Sequence, residues 1–303
     1  MSDNLRGAGW MVLAMMVFAV EDALFKTATG NGWLTPGMGT FLFGVVALAI
    51  YASIAKLRGI ALWHPAYLTR PLILRTLAET MGRLFFALSL AFNTLTVTST
   101  VLQAAPIVVT LGAVLIFGER AGPRRWLAMG LGLLGVVLVL RPVPSQFEPT
   151  VIFAVLGMLG FAFRDLATRA APAQVQPAQL GLLGFAVVTV AGLVIMAFEP
   201  GAPRLPGLPG AGLMVLTAIA GVIAYDALTR AVRTGDVSAT APFRYSRLVA
   251  AMLIGMLVFG ERPDAVTWVG AALIVGAGLF TLWREKAKPA KAQASTGHHK
   301  DRT

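Results

Sequence analysis

"FGERAGPRRW", Phe117 to Trp126, returns 142 residues later as "FGERPDAVTW", Phe259 to Trp268. Each copy closes one long apolar run and precedes another, so it marks a turn between two helices of membrane length in each of two halves. Two more matches keep nearly the same spacing. Phe18, Ala19, Asp22 and Lys26 align with Phe161, Ala162, Asp165 and Arg169 at an offset of 143, and "ALSLAFNTLTV" (Ala87 to Val97) aligns with "ALTRAVRTGDV" (Ala227 to Val237) at 140. The chain therefore reads as a duplication.

Composition says what solvent surrounds it. Of 303 residues 57% are hydrophobic and 13% charged, a balance that suits a chain solvated largely by lipid and not by water. The net charge of +11 is scattered over short connecting segments and the tail, so no basic face points to nucleic acid. Cysteine is absent and the three histidines, His64, His298 and His299, are dispersed; no disulfide, metal site or cofactor is expected. The first apolar run, Gly7 to Val20, ends in charges without a small-residue cleavage signal and reads as a retained span.

Proline, glycine and charge divide the apolar sequence into ten spans: 7–27, 34–55, 71–92, 98–117, 123–141, 150–169, 177–198, 208–231, 237–259 and 264–283. The predicted fold is all-α and integral to the membrane, with a first repeat over 7–141, a second over 150–285 and a disordered tail at 286–303. Five spans per half is an odd number, so the second half enters the membrane inverted relative to the first. Lys and Arg crowd one side: Arg6; Lys56, Arg58, Arg70 and Arg75; Arg120, Arg124 and Arg125; Arg169; Arg230 and Arg233; and six in the tail, against Lys26, Arg141, Arg204 and Arg262 opposite. That asymmetry places both termini in the cytoplasm.

The ten-span plan, the paired "FGER" and "AAPIVVTLGAVLIFGER" resemble the EamA branch of the drug/metabolite transporter superfamily over Gly7 to Glu285, and "RDLATR" with "APFRYSR" (Ala241 to Arg247) is similar to a bacterial subgroup. The resemblance implies a multi-pass protein of the bacterial inner membrane. Spans 1, 3, 4, 6, 8 and 9 would surround a central cavity with spans 5 and 10 behind. It further implies a small-molecule substrate from a range that includes amino acids, riboflavin, S-adenosylmethionine, nucleotide-sugars and opine-type metallophores, with export as the expected direction. Oligomeric state stays open between monomer and homodimer.

Charges inside the spans suggest the site. Asp22 and Lys26, Glu79 and Arg83, Asp165 and Arg169, and Asp226 and Arg230 each stand four residues apart, on one helix face, and so can pair as structural staples. If Glu79 and Arg83 pair alone, removing Arg83 should do more harm than removing both. Subtracting the pairs leaves Glu21, Arg164, Arg244 and Arg247, a net positive cavity. Arg244 and Arg247 share a face of span 9, with Tyr245 between them as a further donor, and a guanidinium fork suits a carboxylate. The expected substrate-binding set is Arg244, Arg247, Tyr245, Arg83, Glu79, Gln103 and Arg164, with weaker hydrogen bonds from Thr100, Thr110 and Asn93. Glu21, Asp22 and Asp165 are expected to gate or couple transport. Glu119 and Glu261 read as architectural, each holding its turn and the N-terminus of the next helix. Pro106 is expected to bend span 4. No nucleophile with an oriented base supports an enzyme. The expected function is export of a carboxylate-bearing, amino-acid-derived metabolite, with uptake of S-adenosylmethionine or riboflavin as the alternative.

Overall fold

The computed structural model describes residues 2–93, 95–142, 148–199, 205–260 and 262–286. Arg204, Glu261 and the tail beyond Lys286 lie outside the described residues, so the expectations for them are not taken further. Every described regular element is helical: α1 Asp3–Gly30, α2 Pro36–Leu57, α3 Arg70–Phe92, α4 Leu95–Leu102, α5 Ala105–Phe117, α6 Pro123–Leu140, α7 Val151–Arg169, α8 Pro177–Phe198, α9 Leu208–Arg233, α10 Val237–Thr240, α11 Ser246–Phe259 and α12 Ala265–Lys286. Short 3₁₀ turns cover Pro65–Leu68 and Ala241–Tyr245.

Local chemistry sets many of the boundaries. The Thr35 hydroxyl accepts the Met38 amide at 3.3 Å and Pro36 opens α2, while α6 and α8 also begin on proline, where the missing amide costs nothing. In the repeated motif, Gly118 and Gly260 end α5 and α11 at φ of 66° and 67°. Only glycine adopts that left-handed backbone without penalty.

Among the described residues, nine segments are long and apolar enough to cross a membrane. Leu77, Leu115, Val190, Leu257 and Leu279 stand exposed on outer faces, as side chains do when their solvent is lipid. α3 is not among the nine because Arg70, Arg75, Glu79 and Arg83 fall within its 23 residues. Arg75 and Glu79 are nevertheless fully buried. Arg75 therefore belongs inside the bundle and not, as its sequence position suggests, among the loop charges: it lies one turn and a half into α3.

Two spans are interrupted. Span 4 consists of α4 and α5 separated at Gln103 and Ala104, and span 9 of α10, the 3₁₀ turn and α11. Pro106 sits in the first positions of α5 and Pro242 in those of the 3₁₀ turn that interrupts span 9, so Pro106 starts a new helix instead of bending a continuous one. α1 packs along α9, α3 along α7, α2 along α8 and α6 along α12. Met11, Ala14, Ala227 and Ala231 fill the first contact, and Phe43, Tyr51, Phe185 and Val222 lie where α2, α8 and α9 meet.

At the end of the bundle that carries the N-terminus, α10 is held from several directions. Glu119 accepts the Val237 and Ser238 amides at 2.9 Å each, Arg125 reaches the Ser238 hydroxyl at 2.6 Å and Asp236 at 3.1 Å, and Asn4 accepts the Asp236 amide at 2.8 Å. Glu119 thus caps a helix start, as the sequence suggested, but that of span 9 in the other half of the chain and not that of the next helix.

The α3–α7 crossing tolerates no added atom. A Cβ at Gly160 would lie 2.5 Å from the Gly82 amide nitrogen, whereas one at Gly130 meets nothing within 4 Å. Gly160→Ala is expected to destabilise the protein by about 1–3 kcal/mol through overpacking, and Gly130→Ala to leave it unchanged; thermal unfolding of the two purified variants checks this.

Candidate functional site

Glu79 is the centre of the interior charge. Its Oε1 lies 3.2 Å from Arg164 Nη1 and 3.6 Å from Arg83 Nε, and its Oε2 lies 3.6 Å from Arg75 Nη2 and accepts the Tyr225 hydroxyl at 3.0 Å. Three guanidinium groups and a phenol, drawn from α3, α7 and α9, thus share one carboxylate. Arg75 also donates to the Tyr225 hydroxyl, to Thr168 Oγ1 at 3.1 Å and to the Leu180 carbonyl at 3.1 Å. The Tyr225 hydroxyl fits because Gly184 has no side chain: a Cβ there would stand 2.4 Å from it.

The network runs on by alternating sign. Arg164 contacts Asp165 Oδ1 at 2.9 Å, and the second oxygen of Asp165 lies 2.5 Å from Arg244 Nη2. Nearby, Arg247 holds Asp22 with Nε and Nη2 at 2.9 and 2.6 Å, a two-pronged pair across α11 and α1 that fixes geometry as well as charge. The Phe161 ring lies against the guanidinium groups of both Arg83 and Arg164, at 5.7 and 5.3 Å, and Phe18 lies 5.1 Å from Arg247; ring faces favour such cations.

Two of the four expected i,i+4 pairs are replaced. Asp22 is held by Arg247 and not Lys26, and Asp165 by Arg164 and Arg244 and not Arg169, whose side chain donates to the Arg233 carbonyl at 2.8 Å. Arg230 does pair with Asp226 at 2.7 Å, and Arg83 with Glu79, though as one of three. Arg244 and Arg247 therefore find their counter-charges on other helices. Counting Arg75, Arg83, Arg164, Arg244 and Arg247 against Glu21, Asp22, Glu79 and Asp165 leaves one positive charge in surplus.

Exposure divides the cluster. Arg164, Arg244 and Asp165 are at most 12% exposed at the side chain, while Arg83 is 27%, Arg247 40% and Asp22 50% exposed; a ligand reaches the second group first. Arg83 Nε and Arg244 Nε are buried donors with no hydrogen-bond partner among the described residues. Glu21 Oε2 is likewise buried without one, and its carboxyl carbon would stand 3.6 Å from a Cβ at Gly221.

Other expected contributors lie elsewhere. Tyr245 is fully buried in an apolar layer with Val136 and Ile274, its ring on Gly132, away from the arginines beside it in sequence. Gln103 is half-buried at the break of span 4. Thr110 donates to Met129 Sδ at 3.1 Å, and Asn93 and Thr150 bond reciprocally between α3 and α7. Phe85 and Trp10, not among the expected set, lie between helices, Phe85 stacked on Phe153 and Trp10 against Arg230. Arg75 and Tyr225 were missed. Arg75 stands four residues before Glu79, a base-then-acid spacing opposite to the acid-then-base order of the expected pairs.

Residues 148–283 match the EamA-like transporter family. This half of the chain is an EamA-like transporter domain. It supplies Arg164, Asp165, Tyr225, Arg244 and Arg247, and the first half supplies Glu21, Asp22, Arg75, Glu79, Arg83 and Gln103. An S-adenosylmethionine uptake transporter of Rickettsia felis is 26% identical over 93% of this chain and 94% of its own length. A riboflavin transporter of Rhizobium johnstonii is 28% identical, covering 94% of each. The pseudopaline exporter CntI of Pseudomonas aeruginosa is 26% identical over 87% of this chain and 91% of its own. A solved crystal structure superposes on 93% of this chain and 99% of its own with a TM-score of 0.79 at 20% identity, a shared fold. These relatives are transporters, similar to this chain over most of their length, and the chain is a multi-pass membrane protein.

The shared carboxylate reverses the expectation for a simple pair. Glu79→Gln leaves Arg75, Arg83 and Arg164 crowded without their anion, and is expected to cost about 3–5 kcal/mol. Adding Arg83→Gln should not restore folded yield, because two buried arginines remain; size-exclusion profiles of the single and double variants report it.

Proposed function

We propose that this protein is a ten-span carrier of the bacterial inner membrane that moves a small carboxylate-bearing, amino-acid-derived metabolite by alternating access. The observation that carries this reading is the buried Nε of Arg83, whose Glu79 oxygen at 3.6 Å is beyond a hydrogen bond, and of Arg244, neither with a hydrogen-bond partner among the described residues, beside a cluster with one surplus positive charge. An unpaired buried donor is costly, and a substrate carboxylate would complete both the hydrogen bonding and the charge. The exposed carboxylate of Asp22 offers the complementary contact for an ammonium group, while Glu21, Asp22 and Asp165 are the acids that would couple or gate the cycle.

Several features support the inverted repeat. Exchanging the halves turns the α1–α9 contact into α7–α3 and maps α2–α8 and α6–α12 onto themselves. The breaks in spans 4 and 9 and the left-handed Gly118 and Gly260 fall at matching positions. α3 serves as the tenth span, since 23 residues reach ~35 Å at 1.5 Å each and Arg75 and Glu79 face protein instead of lipid. Both termini are placed in the cytoplasm, and tags in the loop near Ala202 and the tail near Ala292 should label opposite faces of the membrane. Labelling of one face only would overturn the arrangement.

Interrupted spans meet the charges at this site, with Arg244 on the break of span 9, as transporters often arrange their binding residues. The hydrogen-bonded seal around α10 supports a state closed at the terminal end. Export is the proposed direction on resemblance; an uptake protein and an exporter both stand among the relatives, so vesicle flux measured both ways decides it. S-adenosylmethionine carries an amino-acid group and riboflavin has none, which separates the readings chemically.

Arg83 is the cleanest test, because Glu79 keeps three partners without it. In proteoliposomes containing the full chain, Arg83→Lys should fold normally and weaken competition by compounds with an amino-acid carboxylate about tenfold, on the order of 1–2 kcal/mol for a charge-assisted hydrogen bond. Unchanged affinity in Arg83→Lys, Arg244→Lys and Arg247→Lys, or flux of riboflavin in preference to S-adenosylmethionine, would remove the carboxylate from the reading.

A further inference from the structure

On the outside of the bundle, away from the central network, lies a groove of about 460 Å³. α3 and α5 each pack on α7, and the groove is the space left between them. Leu74, Leu77 and Met81 form one wall, Ile116 and Phe117 the other, and Leu166 and Ala167 of α7 line its floor. Its lining is apolar except for Arg70, the first residue of α3, and includes no member of the central network. Arg70 marks the end of the groove that also carries Phe117 and Ala170, where α5 and α7 stop. That is the end of the bundle with the N-terminus, since Glu119, two residues past Phe117, meets α10 there beside Asn4.

Depth and exposure indicate the occupant. Leu74, Leu77, Ile116 and Phe163 on the rim are 47% to 60% exposed, so in a membrane protein the groove opens to lipid. Arg70 and Met81 stand 11 residues apart on α3, ~16 Å at 1.5 Å per residue, and half the hydrocarbon core is ~15 Å. The groove thus runs from headgroup level to the bilayer midplane, the reach of one lipid chain, whereas a second membrane helix would need a surface of twice that length. The Arg70 side chain is exposed and has no ion pair or hydrogen bond among the described residues, which leaves its guanidinium to a group at the mouth.

We propose that this groove binds a phospholipid of the leaflet on that side, one acyl chain lying on α7 between α3 and α5 and its phosphate on Arg70. A planar guanidinium matches phosphate oxygens. An anionic headgroup is preferred, because a zwitterionic one brings its own cation beside the phosphate and gains less from a basic site. Leu166, on the floor, also abuts α5: a Cβ at Gly112 would stand 2.3 Å from its Cδ1. The chain therefore lies along the seam between α7 and the second segment of the interrupted span 4, outside the contacts assigned to transport.

The test is thermal unfolding of the purified full chain in detergent, with added dioleoyl-phosphatidylglycerol, dioleoyl-phosphatidylcholine, short-chain dihexanoyl-phosphatidylglycerol or inorganic phosphate. A ligand that binds only the folded state raises Tm with its concentration. Dioleoyl-phosphatidylglycerol is expected to raise Tm by several degrees and dioleoyl-phosphatidylcholine by less than half as much, while the short-chain lipid and inorganic phosphate leave it within about one degree. Arg70→Gln should keep the Tm of the unmodified protein without lipid and lower the phosphatidylglycerol shift to that of phosphatidylcholine. Ala167→Phe, which fills the floor with a ring, should abolish both shifts; if it does not fold, Arg70→Gln and the chain-length comparison decide alone. Equal shifts with the two dioleoyl lipids, an undiminished phosphatidylglycerol shift in Arg70→Gln or in folded Ala167→Phe, or the full shift with the short-chain lipid or inorganic phosphate would each overturn the proposal, the last by reducing the site to one for free anions. Because the readout is lipid-dependent stability, its failure leaves the carboxylate reading of the central site untouched.

Discussion

The interior charges of this bundle are arranged around one fully buried carboxylate, that of Glu79. An isolated ion in such an interior is unaffordable, and Glu79 is retained by three guanidinium groups and the Tyr225 hydroxyl. That solution imposes its own demands. Three cations on one anion overcompensate it, so Arg164 must also find Asp165, and Asp165 has a second oxygen left for Arg244. The helices must come close enough for these contacts, which is why Gly82 and Gly160 face each other at the α3–α7 crossing and why Gly184 lies under Tyr225. Stability and site are one structure here, and the buried polar groups join the two halves through α3, α7 and α9.

Much of the architecture was legible in the sequence because lipid imposes simple rules. Apolar length marks spans, and nine long apolar segments among the described residues follow it; α3 departs from the rule because its charges face inward. The glycine of "FGER" was legible as a turn, and its left-handed backbone at both copies is the physical reason for the motif. Pairing was less legible. The i,i+4 rule describes neighbours on one helix surface, but a short aspartate side chain is better satisfied by a two-pronged arginine from another helix, as Asp22 is by Arg247. Tyr245 shows the same limit: two residues from Arg247 and adjacent to Arg244, it turns toward Val136 and Ile274 because the 3₁₀ turn rotates it away from them.

The second half of the motif explains itself only in three dimensions. Glu119 lies at the end of span 4, yet its two oxygens accept the first amides of α10 across the repeat boundary. Those amides are the unsatisfied donors of a helix start, and an acid there also meets the positive end of the helix dipole. The contact therefore ties the end of span 4 to the beginning of span 9. Arg125 and Asn4 strengthen it through Asp236 and Ser238, so one end of the bundle is latched by polar bonds between elements of both halves.

Span 9 is where the symmetry of the scaffold and the asymmetry of its chemistry meet. Asp22 and Asp165 occupy equivalent places in the sequence repeat, on α1 and α7, and each is held by an arginine from the same interrupted span: Asp22 by Arg247, Asp165 by Arg244. The positions that the motif offset aligns with these arginines in span 4 are Leu102 and Ala105, so no second set of cations exists on the other side. In the alternating-access reading, spans 4 and 9 exchange environments as the halves exchange roles, but only span 9 carries charge into the exchange. Moving it relative to α1 and α7 changes the grip on two carboxylates at once. An uncompensated carboxylate or guanidinium in that interior is costly, and under the proposed function a substrate bearing both a carboxylate and an ammonium group is the species that replaces both partners while the span moves.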